Sequence, residues 1–110
     1  MVMVKQGQVW WVSLPEHQHR QPVLVVQSNA FNDSALQTAV CVLLTPQWTL
    51  APAPGNTIIG HSDSGLPKTS VANIAHMLTL DKSQFNEYVS TVSALILETV
   101  LDGIQLLLGR

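Results

Sequence analysis

The chain has 110 residues, 46% of them hydrophobic and 11% charged. That balance excludes intrinsic disorder, and the length fits one domain over residues 1–110 rather than two. The formal net charge is −2, with only Lys5, Arg20, Lys68, Lys82 and Arg110 firmly cationic, so composition excludes the broad basic face that usually marks a nucleic-acid binder.

So sparse a charged surface favours self-association or a bound partner. The single cysteine, Cys41, excludes an internal disulfide and an all-cysteine metal site. It lies in the apolar run Val40-Cys41-Val42-Leu43-Leu44 and reads as a small packed hydrophobe. The opening residues, Met1 to Gln6, lack a signal-peptide layout, and no apolar run reaches membrane-spanning length. The expectation is a soluble, cytoplasmic protein with no membrane contact.

In chain order, Gln8 to Leu14 is rich in aromatic and β-branched residues and stops at Pro15, which predicts a strand. Pro15 to Gln21 is a polar loop carrying His17, His19 and Arg20. Pro22 to Gln27 is an almost continuous apolar strand, so both its faces should be covered. Asn29 to Ser34 is turn-rich. Thr38 to Leu44 is the next buried strand, closed by Thr45-Pro46. Trp48 to Gly55, with Pro52 and Pro54, predicts an extended loop. Thr57 to Gly60 is a short strand, His61 to Pro67 a loop, and Ser70 to Met77 a further strand. Leu80 to Phe85 predicts one helical turn, and Tyr88 to Val92 a last short strand.

Ser93 then looks like an N-cap for a helix that Gly109 ends. Leu97, Val100, Leu101, Ile104 and Leu108 recur at helical spacing as its core stripe, and Ile96, Leu106 and Leu107 widen it. Such a helix is either well buried or a dimer or partner contact. Several short strands before one terminal helix give a mainly β (α+β) chain: a strongly bent antiparallel sheet or barrel with a helix packed on it.

Four blocks carry a family resemblance. Gly7-Gln8-Val9-Trp10-Trp11-Val12-Ser13-Leu14 resembles G-D-I-W-x-V-D-L. Pro22-Val23-Leu24-Val25-Val26-Gln27-Ser28-Asn29-Ala30-Phe31-Asn32 resembles R-P-V-L-V-V-S-x-x-x-(Y/F)-N. Val42-Leu43-Leu44-Thr45 matches a strand ending in threonine. Gly65 through Val71 and Leu78 through Lys82 resemble G-L-x-x-D-S-V and T-L-D-K. In that order they resemble the MazF/PemK toxins over nearly the whole chain.

The resemblance implies a small SH3-like antiparallel barrel with a C-terminal helix, MazF/CcdB-like, paired as a homodimer. It implies cleavage of single-stranded RNA without cofactor or metal, with the RNA across the dimer surface and an antitoxin segment covering the same groove. In such a reaction the 2′-hydroxyl attacks the adjacent phosphate, so proton-transfer groups and phosphate donors are needed. By position the family's catalytic threonine is Thr45, which otherwise reads as a strand-end hydroxyl capping a turn. The family arginine position holds Gln21. Arg20 sits one residue earlier, where strand alternation would turn it to the other face unless the junction beside Pro22 swings it back.

His76, in the apolar segment Ala75-His76-Met77-Leu78, is either a core histidine or, with His17 and His19, a replacement acid–base group. The catalytic candidates are therefore Arg20, Thr45 and His76, and the RNA-binding candidates His17, His19, Gln21, Trp48 and Lys68. His17-Gln18-His19 lacks a third ligand at defined spacing and is not read as a metal site. One of Trp10 and Trp11 should face the core. Trp48, in its proline-flanked loop, suits base stacking. A relative that binds RNA or antitoxin without cutting, or blocks another macromolecule as CcdB toxins do, is the alternative reading.

Overall fold

The computed structural model describes residues 2–110; Met1, at the head of the opening segment read above, lies outside them. Six strands form one antiparallel sheet: β1 Gln8–Val12, β2 Gln21–Val25, β3 Thr38–Thr45, β4 Thr57–Ile59, β5 Ser70–Asp81 and β6 Phe85–Thr91, ordered β4-β5-β3-β2-β1-β6. Two single-turn helices, α1 Asn29–Asn32 and α2 His61–Ser64, decorate the connections, and α3 Ala94–Leu107 closes the chain. The sheet curls into a half-barrel rather than a ring of unbroken ladders.

Its central strands show why the apolar runs are continuous. On β2, Val23 and Val25 belong to a cluster with Trp10, Val12, Ala39, Cys41, Leu80 and Phe85, whereas Leu24 belongs to one with Val9, Val42, Leu44, Ala72, Val100 and Ile104. Both faces of the middle of the sheet are therefore cores. Val4 of the N-terminal segment covers the first, and α3 the second. Val100 and Ile104 are the buried apolar residues of α3, each contributing about 1.5–3 kcal/mol by leaving water.

The helix begins where the sequence placed it, the Ser93 hydroxyl accepting from the Ile96 N–H at 3.2 Å. Its core stripe is shorter than periodicity predicted. Leu108 is 64% exposed and Leu106 62%, because the last turn runs beyond the sheet. The helix thus has one buried face and an exposed apolar end.

Two edges remain, β4 and β6. The α2 turn spans them: Ser90 Oγ on β6 donates to the Ser64 carbonyl. Gly65 follows with φ 75°, and a Cβ there would press on Val89 and Ser90, so the crossing is made with backbone at close range.

Strand β5 runs to Asp81, past the predicted end at Met77. It serves β4 and β3 together and makes room by a large bulge. Val42 faces Met77, yet the next residue, Leu43, faces Asn73. Ile74, Ala75 and His76 are thereby surplus on β5, and alternation alone could not reveal a strand so interrupted. Beyond it, Asp81 caps a 3₁₀ turn, Lys82–Gln84, by accepting from Ser83 N–H at 2.9 Å. That backbone bond, with the Ser83 hydroxyl, holds its carboxyl below the usual carboxylate range.

Backbone meets backbone at close range where α3 crosses the loop before β4. A Cβ on Gly103 would lie 2.1 Å from the Gly55 carbonyl oxygen. Gly103→Ala is therefore expected to cost about 3 kcal/mol, at the upper end of ordinary overpacking, measured by urea unfolding against a Gly60→Ala control, where a Cβ meets nothing within 4 Å. Cys41 is fully buried, and burial pushes its thiol from 9.0 up to about 12. Iodoacetamide at pH ~8.5, near the free thiol range, should label it only in denaturant. The neutral thiol's contribution to stability is whole below 9.0 and lost as pH rises toward about 12.

Candidate active site

Strand alternation divides the candidate residues between the two sides of the sheet. Across β1 and β2, Trp11 faces Pro22 and Val12 faces Gln21. Trp11 packs against the cluster beneath α3, and Val12 belongs to the opposite cluster. Arg20 follows Trp11. Its guanidinium carbon lies 5.4 Å from the Trp11 ring centroid, and Nη1 is 3.0 Å from Glu87 Oε1. Glu87 is itself the β6 residue opposite Trp11, so the arginine is held by a ring and a carboxylate from two neighbouring strands. The junction beside Pro22 does not swing it back toward Gln21.

Trp11 also lines an apolar cleft of about 220 Å³, with Pro22, Pro46, Leu66, Pro67 and Lys68. Lys68 gives it a cationic rim. The register explains its composition, since Pro22, Pro46 and Leu66 all lie toward the side that α3 covers farther down the sheet.

Thr45 and Gln21 lie on the other side. Val23 pairs with Leu43, and continuing that register two residues sets Gln21 against Thr45. Both point to the side of Val12, Val23 and Cys41, because residues two apart on a strand share a face. Thr45 is 9% exposed, and its Oγ1 accepts from the Gln47 N–H at 3.2 Å. The hydroxyl thus does cap the turn, as the plain reading had it, and still keeps its own proton to donate. Gln21 folds its Nε2 onto the His19 carbonyl at 3.3 Å.

His76 is exposed and is not a core histidine. It lies in the β5 bulge, between Asn73 opposite Leu43 and Met77 opposite Val42. Gln21 and Thr45 thus come from adjacent strands and share a face, with His76 exposed on the next strand, whereas Lys68 lines the cleft on the other side and Arg20 lies over its Trp11 wall. His17 and His19 are exposed in the loop between β1 and β2. Trp48 is 79% exposed on a 3₁₀ turn, Trp48–Leu50, where an uninterrupted loop was expected. Trp10 is the inward tryptophan, edge-on to Phe85 at 5.6 Å.

Two residues outside the predicted set support this face. Asn56 donates from Nδ2 to the Leu50 carbonyl at 2.9 Å, and its Oδ1 accepts from the Ile74 N–H at 3.0 Å. It ties the Trp48 turn to the β5 bulge. Asn73, opposite Leu43, shares the Thr45 side. A lone asparagine in the apolar run Val71 to Ala75 was the sequence signal for it. Among the described residues, no group of three or more His, Cys, Asp and Glu side chains could hold a metal ion, and no helix is long and apolar enough to cross a membrane.

Over residues 5–108 the chain matches the PemK-like, MazF-like toxins of type II toxin–antitoxin systems. It belongs to that family. Endoribonuclease MazF6 of Mycobacterium tuberculosis and endoribonuclease MazF2 of Mycobacterium bovis are each 30% identical to this MazF-family chain over 109 residues, 94% of its length and 96% of theirs. Among solved structures, an endoribonuclease in complex with its cognate antitoxin from a mycobacterial species superposes with a TM-score of 0.80 at 27% identity, covering 99% of this chain and 96% of that one. MazF in a MazE–MazF complex from Deinococcus radiodurans has a TM-score of 0.80 at 20% identity, covering 100% and 99%, and shares the MazF fold.

The Arg20–Glu87 pair is half exposed on both sides, so its Coulomb energy is screened. Glu87→Gln should change stability by less than about 1 kcal/mol, checked by thermal unfolding.

Proposed function

We propose that this protein is the toxin of a type II toxin–antitoxin pair and cuts single-stranded RNA without a metal or cofactor. Gln21 and Thr45 sharing one face, with His76 exposed on the neighbouring strand β5, is the observation that carries the reading. The homology to endoribonucleases over nearly the whole chain supports the activity. In this reading the 2′-hydroxyl attacks the neighbouring phosphorus and the 5′-oxygen leaves, giving a cyclic phosphate and a free 5′-hydroxyl. The Thr45 hydroxyl and the Gln21 amide donate to the phosphate as charge builds on it. His76 moves a proton to or from the reacting oxygens. Arg20, with Lys68, His17 and His19, binds the strand outside the reacting centre, and Trp48 offers a ring for a base.

The same proposal takes the protein to be a cytoplasmic homodimer whose antitoxin covers the groove near Arg20 and Lys68. The solved relatives bound to antitoxins support it, as does the exposed apolar end of α3. One observation favours a second reading, binding without cutting: Arg20 is turned from Thr45 and stacked on Trp11.

Cleavage of a long single-stranded RNA in excess chelator separates the two. Thr45→Ala should slow it by about 10²-fold, the ordinary cost of one transition-state donor. Arg20→Ala should act mainly on KM. His76→Ala should lower kcat with little change in KM if the imidazole moves a proton in the reaction. Intact RNA with the wild-type protein, alongside tight antitoxin binding, would establish the binding-only reading.

A further inference from the structure

Asn73 has no part in the chemistry above, yet its surroundings are built to aim it. It is half-buried on β5, two residues along from Val71, the partner of Thr45, and directly opposite Leu43. Directly opposed residues on antiparallel strands share a face, and a diagonal neighbour lies roughly 7–8 Å away by Cα. Asn73 and Thr45 are such diagonal neighbours. The Asn73 carboxamide oxygen accepts from Asn56 Nδ2 at 3.5 Å. Asn56 is itself fixed by the Leu50 carbonyl and the Ile74 N–H, so it cannot turn over without losing both bonds. That polarity directs the Asn73 amide nitrogen away from Asn56. Among the described residues no protein acceptor takes its two N–H groups. A half-buried amide with free donors next to Thr45 matches an acceptor-only ligand group.

We propose that Asn73 is a substrate-positioning residue: its Nδ2 donates to a non-bridging phosphate oxygen of the RNA strand beside Thr45, with Asn56 holding the amide in that orientation. This rests on the RNA-cleaving reading above and adds a contact to it. The contact is to the backbone, so it carries no base preference. It also supplies a neutral donor in a chain of net charge −2.

Asn73→Asp tests it, because the carboxylate still accepts from Asn56 but has no donors. Binding of two 2′-O-methyl single-stranded oligonucleotides of unrelated sequence is measured by fluorescence anisotropy for the wild type, Asn73→Asp and Asn56→Ala, with melting temperatures in parallel. The expected result is a loss of about fivefold or more in Asn73→Asp, the worth of one hydrogen bond, equal for both sequences and with an unchanged melting temperature. KM for unmodified RNA should rise likewise. Wild-type affinity in Asn73→Asp overturns the proposal. So does a loss for only one sequence, or one that merely follows a fall in melting temperature. A wild-type protein that neither binds nor cuts RNA defeats the RNA reading itself, which is a separate outcome.

Discussion

The structure turns on a mismatch in length between two paired strands. While β3 moves one residue, from Val42 to Leu43, β5 moves four, from Met77 to Asn73. Before that surplus β5 pairs with both β4 and β3, and beyond it with β3 alone. The bulge leaves backbone groups without ladder partners, and buried ones are costly. Asn56 takes up one of them, the Ile74 N–H. The same distortion leaves His76 unpaired and exposed to solvent. Folding constraint and site geometry are here one feature: the sheet must break register, and the break is where the polar residues gather.

The charge economy of the chain follows the same pattern. Cation-rich nucleic-acid binders draw their affinity from phosphate neutralisation, which makes it steeply dependent on salt. Here Lys5 is bound to Asp33 at 2.6 Å, Arg20 to Glu87, and Lys82 is buried with its ammonium on the Asn32 carbonyl. Three of the five Lys and Arg residues are thus already engaged within the protein. What the Thr45 side offers instead is hydroxyl and amide. Under the proposed function, recognition there rests on directed hydrogen bonds more than on a field, which suits a reaction that needs donors at fixed points.

Much of the fold was legible because burial imposes simple periodicities. The unbroken apolar run of β2 meant two covered faces, and Val23, Leu24 and Val25 are all fully buried, on alternate sides. Ser93 announced the helix by its capping chemistry. Leu108 misled because helical spacing gives the direction of a side chain, not where the sheet beneath it ends. The end of β5 was missed because a bulge destroys alternation. Arg20 illustrates how far alternation reaches: a one-residue offset changes the face, and the structure keeps that change, adding the Trp11 and Glu87 contacts that only three-dimensional proximity could reveal. The pairing of Asn56 with Asn73 was illegible for a related reason. Asn73 stands out as a lone polar residue in an apolar run, but the bonds that tie it and Ile74 to Asn56 span β4 and α2, and no local pattern encodes them.

The contact between Gly103 and Gly55 has a consequence for how such a sequence can drift. Most helix–loop contacts pass through side chains, which can shrink or grow in compensation. Here backbone meets backbone, so neither position has a smaller residue to offer in exchange for a larger one at the other. The two sites are locked as a pair, and the loop between them and Asn56 inherits the restriction. Insertions in that loop would have to leave Gly55 in place, and the Leu50–Asn56 bond that closes the stretch around Pro52 narrows the room for them further.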